Sequence, residues 1–206
     1  MKASSAAPER RPYVQRARAA AAQATSQRII EAFLARLMRQ WFDEITLERV
    51  AEDAGVTVQT LVRRFGGKDG LLSESAKALG TQIVARRASP AGNVDRIVGN
   101  VVADYEETGD AVIRLLALEL RHAAIRAVTE FGRREHRRWV EAAFAETLDG
   151  LRPPARTRAL DALVIATDVY VWKLLRRDMR RSLTATSAAM GVLVRGAIAQ
   201  HANSNP

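Results

Sequence analysis

The chain has 206 residues, with 32 Lys and Arg against 23 Asp and Glu, a net charge of +9 and no cysteine. The missing cysteines exclude disulfides, thiol nucleophiles, iron–sulfur clusters and cysteine-ligated zinc. A hydrophobic content of 48% excludes global disorder, while the cationic excess points to a polyanionic partner without choosing between nucleic acid and a membrane surface.

No apolar run reaches the roughly 18–20 residues that cross a bilayer, and the first residues lack the apolar core of a secretory signal. The sequence therefore predicts no membrane partner and a cytoplasmic protein. Residues 1–24 read as a basic flexible arm. Lys2, Arg10, Arg11, Arg16, Arg18 and Arg28 face a single acid, Glu9, over the first 28 residues.

From Thr25 the pattern is helical. Ile29, Ile30, Phe33, Leu34, Leu37, Met38 and Trp41 recur at spacings of three and four, which makes one apolar stripe. A short helix follows Thr46, its predicted N-cap, and stops at Gly55. Another follows Thr57 and stops at Gly66-Gly67. Longer helices are predicted over about 68–87, 94–108, 110–127, 128–149, 156–177 and 185–201. The breaks fall at Ser89–Gly92, Thr108-Gly109, Gly150–Pro154 and Arg180–Thr184. Period-two alternation is absent, so the fold class is all-α, with about nine helices.

The two short helices meet at a tight turn, with the small Ala51 one helical turn before Gly55. This spacing lets two helices cross closely, as in a helix-turn-helix. On a wheel, Val58, Leu61 and Phe65 of the second helix point inward and Gln59, Thr60 and Arg63 point away. Arg can bind guanine bidentately, Gln can bind adenine, and Thr offers a hydroxyl or a methyl, so these three are the predicted base readers.

The stretch Ile45–Leu72 resembles the tetracycline-repressor (TetR) family of transcriptional regulators. The matching residues are Thr46, Val50, Ala51, Ala54, Gly55, Val56, Thr57, Thr60, Leu61, Phe65, Lys68 and Leu71. The resemblance implies a DNA-binding domain over 25–71 and a ligand-binding and dimerisation domain over 72–206. It further implies phosphate contacts from Thr46, Thr57 and Lys68. The family's phosphate-binding tyrosine is Val62 here, which cannot donate a hydrogen bond. Arg64 is the expected substitute.

The resemblance also implies a homodimer on a pseudo-palindromic DNA operator, acting as a repressor released by a small hydrophobic or aromatic effector. Two helix stripes are the expected dimer interface: Leu160, Leu163, Val164, Thr167 and Val171 on one, Ala189, Val192, Leu193 and Gly196 on the other. Tyr105, Leu118, His122, Phe131, Trp139, Phe144, Tyr170 and Trp172 are candidates to line an effector pocket. Two rivals stand beside this reading, a regulator with no ligand and a non-specific basic nucleic-acid-binding protein. Glu119 and His122 form half of a di-iron motif, but no second Glu-x-x-His pair exists. No phosphate loop or nucleophile elbow is present, so neither enzyme activity nor a metal or cofactor is expected.

Overall fold

The computed structural model describes residues 10–89 and 92–202, and all regular structure within them is helical. Helix α1 (Arg10–Leu37) leads through a 3-10 turn (Phe42–Glu44) to α2 (Leu47–Asp53), α3 (Val58–Phe65) and α4 (Lys68–Arg86). The larger part contains α5 (Val94–Leu118), α6 (Ala123–Ala143), the single turn α7 (Ala145–Leu148) and α8 (Pro153–Ala166). Short α9 (Val169–Lys173) runs into a π-helical turn (Leu174–Asp178), and α10 (Leu183–Ala202) closes the fold.

Two expectations about the chain's organisation change. Residues 10–24, predicted as flexible, continue α1 without a break, in keeping with the high helix propensity of the alanines and arginines there. Residues 1–9, including Lys2 and Glu9, lie outside the described residues. The break predicted at Thr108-Gly109 is also absent, because α5 runs through it. Gly109 serves tertiary packing instead: a Cβ there would run into the ring of Trp172, which is fully buried. The true breaks are the turn at 119–122 and the cap at Thr167-Asp168, where the Asp168 side chain accepts from Tyr170 N at 2.8 Å.

Apolar side chains gather into two cores. The N-terminal head packs Ile29, Phe33, Ile45, Val50, Leu61 and Leu72, and draws in Leu115, Leu118 and Ile125 from the ends of α5 and α6. The body packs α5, α6, α8, α9 and α10 around Val101, Leu163, Trp172, Met190 and Val194. Helix α4 reaches both halves, with Leu71 and Leu72 in the head core and its last turn against α5. Polar ties reinforce the seam. Arg114 Nη2 donates to Leu37 O at 3.0 Å, capping the C-terminus of α1, and His122 Nε2 lies 3.0 Å from Asp43 Oδ1. No helix of the described residues is long and apolar enough to cross a membrane.

Candidate nucleic-acid interface

Local chemistry builds the two-helix unit. Thr46 caps α2 by accepting from Arg49 N, and Thr57 caps α3 by accepting from Thr60 N at 3.2 Å. Between them Gly55 takes φ 63°, a left-handed conformation that costs glycine little. Val56 N then bonds back to Ala51 O at 2.9 Å, and Ala51 is buried where the helices approach. Leu61 pins α3 to the head core with none of its surface exposed.

With Leu61 inward, the opposite side of α3 is left at the surface. Gln59 and Arg63 are exposed, and neither side chain takes a hydrogen bond or ion pair among the described residues. Val62 is exposed beside them. Thr60 is half-buried, its hydroxyl 3.0 Å from that of Thr57, so these two residues are linked to each other as well as to the cap. Lys68 stands at the start of α4 with Nζ 4.2 Å above the Phe42 ring. Burial lowers its pKa, a shift opposed by Asp43 and Asp69.

Arg64 departs from expectation. Instead of facing outward for a phosphate, its Nη1 donates to Ala22 O at 3.0 Å and Ser26 Oγ at 2.9 Å. It therefore fastens α3 to α1. Arg64 lies on the flank of α3, and only the position of α1 turns that flank into a contact. Arg36, which the sequence pattern did not single out, ties α1 to α2 through Asp53 Oδ2 at 2.6 Å and Arg49 O at 3.3 Å.

The eight candidates for an effector pocket do not converge on one cavity. Tyr105, Phe144 and Trp172 are buried in the body core with Trp139 against them, whereas Leu118 belongs to the head core. His122 sits on the seam, edge-on to Phe42. Phe131 lines a surface pocket of about 220 Å³ between α4 and α6, together with Ser73, Lys77 and Val128. Tyr170 is exposed. The half-motif for iron is divided as well: Glu119 accepts from Arg133 and Thr129, and His122 turns to Asp43.

The dimer stripes split in a similar way. Leu160, Leu163 and Thr167 are buried inside one subunit and cannot face a second, and Val164 and Val171 are only partly covered. On α10, Ala189 is half-buried, while Val192, Leu193 and Gly196 face outward. The outward residue of α8 is Ile165, 65% exposed, and Leu174 lies open on the π turn. On α8 the predicted stripe is thus the face that packs inward, whereas on α10 most of it faces outward.

Residues 29–74 match the family model described as bacterial regulatory proteins, tetR family. The fold is similar to that of a transcriptional regulator from Rhodococcus sp. Rha1, with 15% identity, a TM-score of 0.66, and coverage of 85% of this chain and 96% of that one. It is also similar to a tetR-family transcriptional regulator from Streptomyces coelicolor, with 20% identity, a TM-score of 0.63, and coverage of 86% and 89%. No curated protein sequence matches the chain.

Proposed function

The chain belongs to the tetR family of bacterial regulatory proteins, DNA-binding transcriptional regulators, and on that premise we propose that it is a homodimeric repressor released from its operator by a small molecule. The observation that carries the DNA reading is the unpartnered pair Gln59 and Arg63 on the exposed face of a helix pinned from behind by Leu61. Gln59, Thr60 and Arg63 read base edges in the major groove. Thr46, Thr57 and Lys68 hold phosphates on either side. Arg64 supports the same surface from within by fixing α1 against α3.

The outer faces of α8 and α10 support the dimer reading. Ile165, Val192 and Leu193 are each about half-exposed or more, and Gly196 beside them permits close helix approach. Two such faces related by a two-fold would bury each other and set two α3 helices on successive major grooves. Val192→Asp should convert the dimer to a monomer in sedimentation velocity at micromolar concentration. An unchanged mass would remove this face as the interface.

The test of function is selection of bound sequences from a random DNA pool. The expected product is a pseudo-palindrome whose half-sites lie about 10 base pairs apart, or a multiple of that spacing. Enrichment of no sequence over bulk DNA would overturn the reading. Because phosphate contacts make affinity salt-dependent, the selected site and random DNA must be compared at one ionic strength.

A further inference from the structure

The interior of the body contains a cage built for a cation, and one of the protein's own side chains fills it. Asp104 on α5 has no exposed side-chain surface. Its Oδ1 accepts from Arg86, and its Oδ2 accepts from Arg87 Nε at 2.9 Å and Nη2 at 2.6 Å. The Arg87 guanidinium lies 4.8 Å from the centre of the Tyr105 ring and 5.1 Å from that of Trp139. Its remaining edge, Nη1, is 3.3 Å from His136 Nδ1, and His136 Nε2 is 3.2 Å from Thr167 Oγ1. Tyr105 donates its hydroxyl to Thr167 O at 3.1 Å. Residues from α4, α5, α6 and the end of α8 thus converge on one planar cation.

Without the Arg87 side chain, the remaining lining is one carboxylate oxygen, two aromatic faces and an imidazole nitrogen. Burial and the charge of Arg87 push His136 down to about 4, so at neutral pH it accepts a hydrogen bond and adds no positive charge. Burial pushes Tyr105 up to about 12, so it remains neutral too. A carboxylate beside aromatic faces is the chemistry that holds organic cations. Acceptors on two edges of one plane favour a flat fork of N–H donors over a compact ammonium.

Two features make Arg87 replaceable. It is the C-cap of α4, so its side chain can leave by unwinding the last turn, whose closing bond runs from Arg87 N to Ile83 O. Arg86 stays on the other oxygen of Asp104, so the exchange never leaves a buried carboxylate unpaired, the outcome that costs most. The other end of α4 bears Leu71 and Leu72 in the head core and Lys68 beside α3. Release of the last turn therefore loosens the helix that joins the two halves.

We propose that this cage is the effector site and that it takes a planar organic cation, an amidinium or guanidinium, in place of the Arg87 side chain. The proposal rests on the regulator reading for its consequence but not for its chemistry. Calorimetry of the full-length protein with benzamidine hydrochloride, without DNA, should give saturable binding that is lost in Asp104→Asn. No saturable binding, or equal binding by Asp104→Asn, overturns the site. Arg87→Met empties the cage while keeping an apolar stem. Methylguanidinium chloride at ten times its dissociation constant should raise the unfolding midpoint of that variant by about 3–5 °C. Matched sodium chloride or urea should not, and an equal response to sodium chloride also overturns the site. Benzamidine should weaken the selected DNA complex at least fivefold. Saturable binding with unchanged DNA affinity would keep the cage and overturn its role as effector site, whereas failure to select any DNA would overturn the regulator reading alone.

Discussion

Head and body place their charges differently. Around Leu61 the head packs apolar side chains, and α3 leaves the cation Arg63 free at the surface with no acid on the same helix. The body pairs many of its cations. Arg133 meets Glu119, Arg137 meets Asp161, Arg156 meets Glu141, Arg176 meets Glu106 and Arg177 meets Asp110, while Asp104 and Arg87 are paired inside. Each such pair removes one acid with one cation, so the body keeps its cationic excess, and it is the free Arg63 on a helix fixed to the head core that carries meaning for DNA. Net charge is a poor guide to where a polyanion binds. Unpartnered charge on a fixed element is a better one.

The largest break in this comparison should come from the body core. Trp172 is fully buried, donates from Nε1 to Glu106 Oε1 at 2.7 Å and lies under the Arg177 guanidinium. Trp172→Ala should cost about 3–5 kcal/mol in urea unfolding. A loss below about 1 kcal/mol would mean that the body core does not depend on this anchor.

Next is the buried histidine. Its pKa is depressed to about 4 in the folded protein, so between pH 6.5 and 4 the unfolded chain binds the extra proton. Stability is then fully present above pH 6.5 and falls as the pH drops toward 4, with a ceiling of roughly 3 kcal/mol for this group. His136→Gln should flatten that limb of the stability profile. The same slope in variant and wild type would show that His136 does not contribute to it.

Arg63→Ala sharpens the contrast from the other side. It should cost about 1–3 kcal/mol in affinity for the selected site and relax the choice of base at one position. Stability should change by no more than about 0.5 kcal/mol, because the side chain is exposed and takes no hydrogen bond or ion pair among the described residues. Equal losses on selected and random DNA, read by fluorescence anisotropy, would make Arg63 a phosphate contact instead. The smallest effect belongs to Thr57→Ala, where loss of the α3 cap should lower stability by about 1 kcal/mol in thermal melts. A destabilisation above 3 kcal/mol would mean that Thr57 does more than cap.

The helix-turn-helix was legible because its determinants are local. Thr46, Ala51, Gly55 and Thr57 act on backbone a few residues away, so their spacing alone states the turn and the caps. Gly109 shows the reverse case. As a neighbour of Thr108 it reads as a helix stop, but its reason is the Trp172 ring, 63 positions later in the chain. Arg64 reads as a phosphate contact because nothing within α3 indicates that α1 lies beside it.

The chain's order of amino acids, taken alone, determined an all-helical protein with a helix-turn-helix near its start, since helix periodicity and capping are short-range effects. Tertiary structure decided which apolar stripes turn inward, why Gly109 lies within a helix and where Arg87 and Asp104 meet. Those outcomes depend on which surfaces compete for burial. On α8, Leu160 and Leu163 are taken by the subunit's own core and Ile165 is left outside. Periodicity marks a stripe as apolar, but packing alone selects the neighbour that covers it.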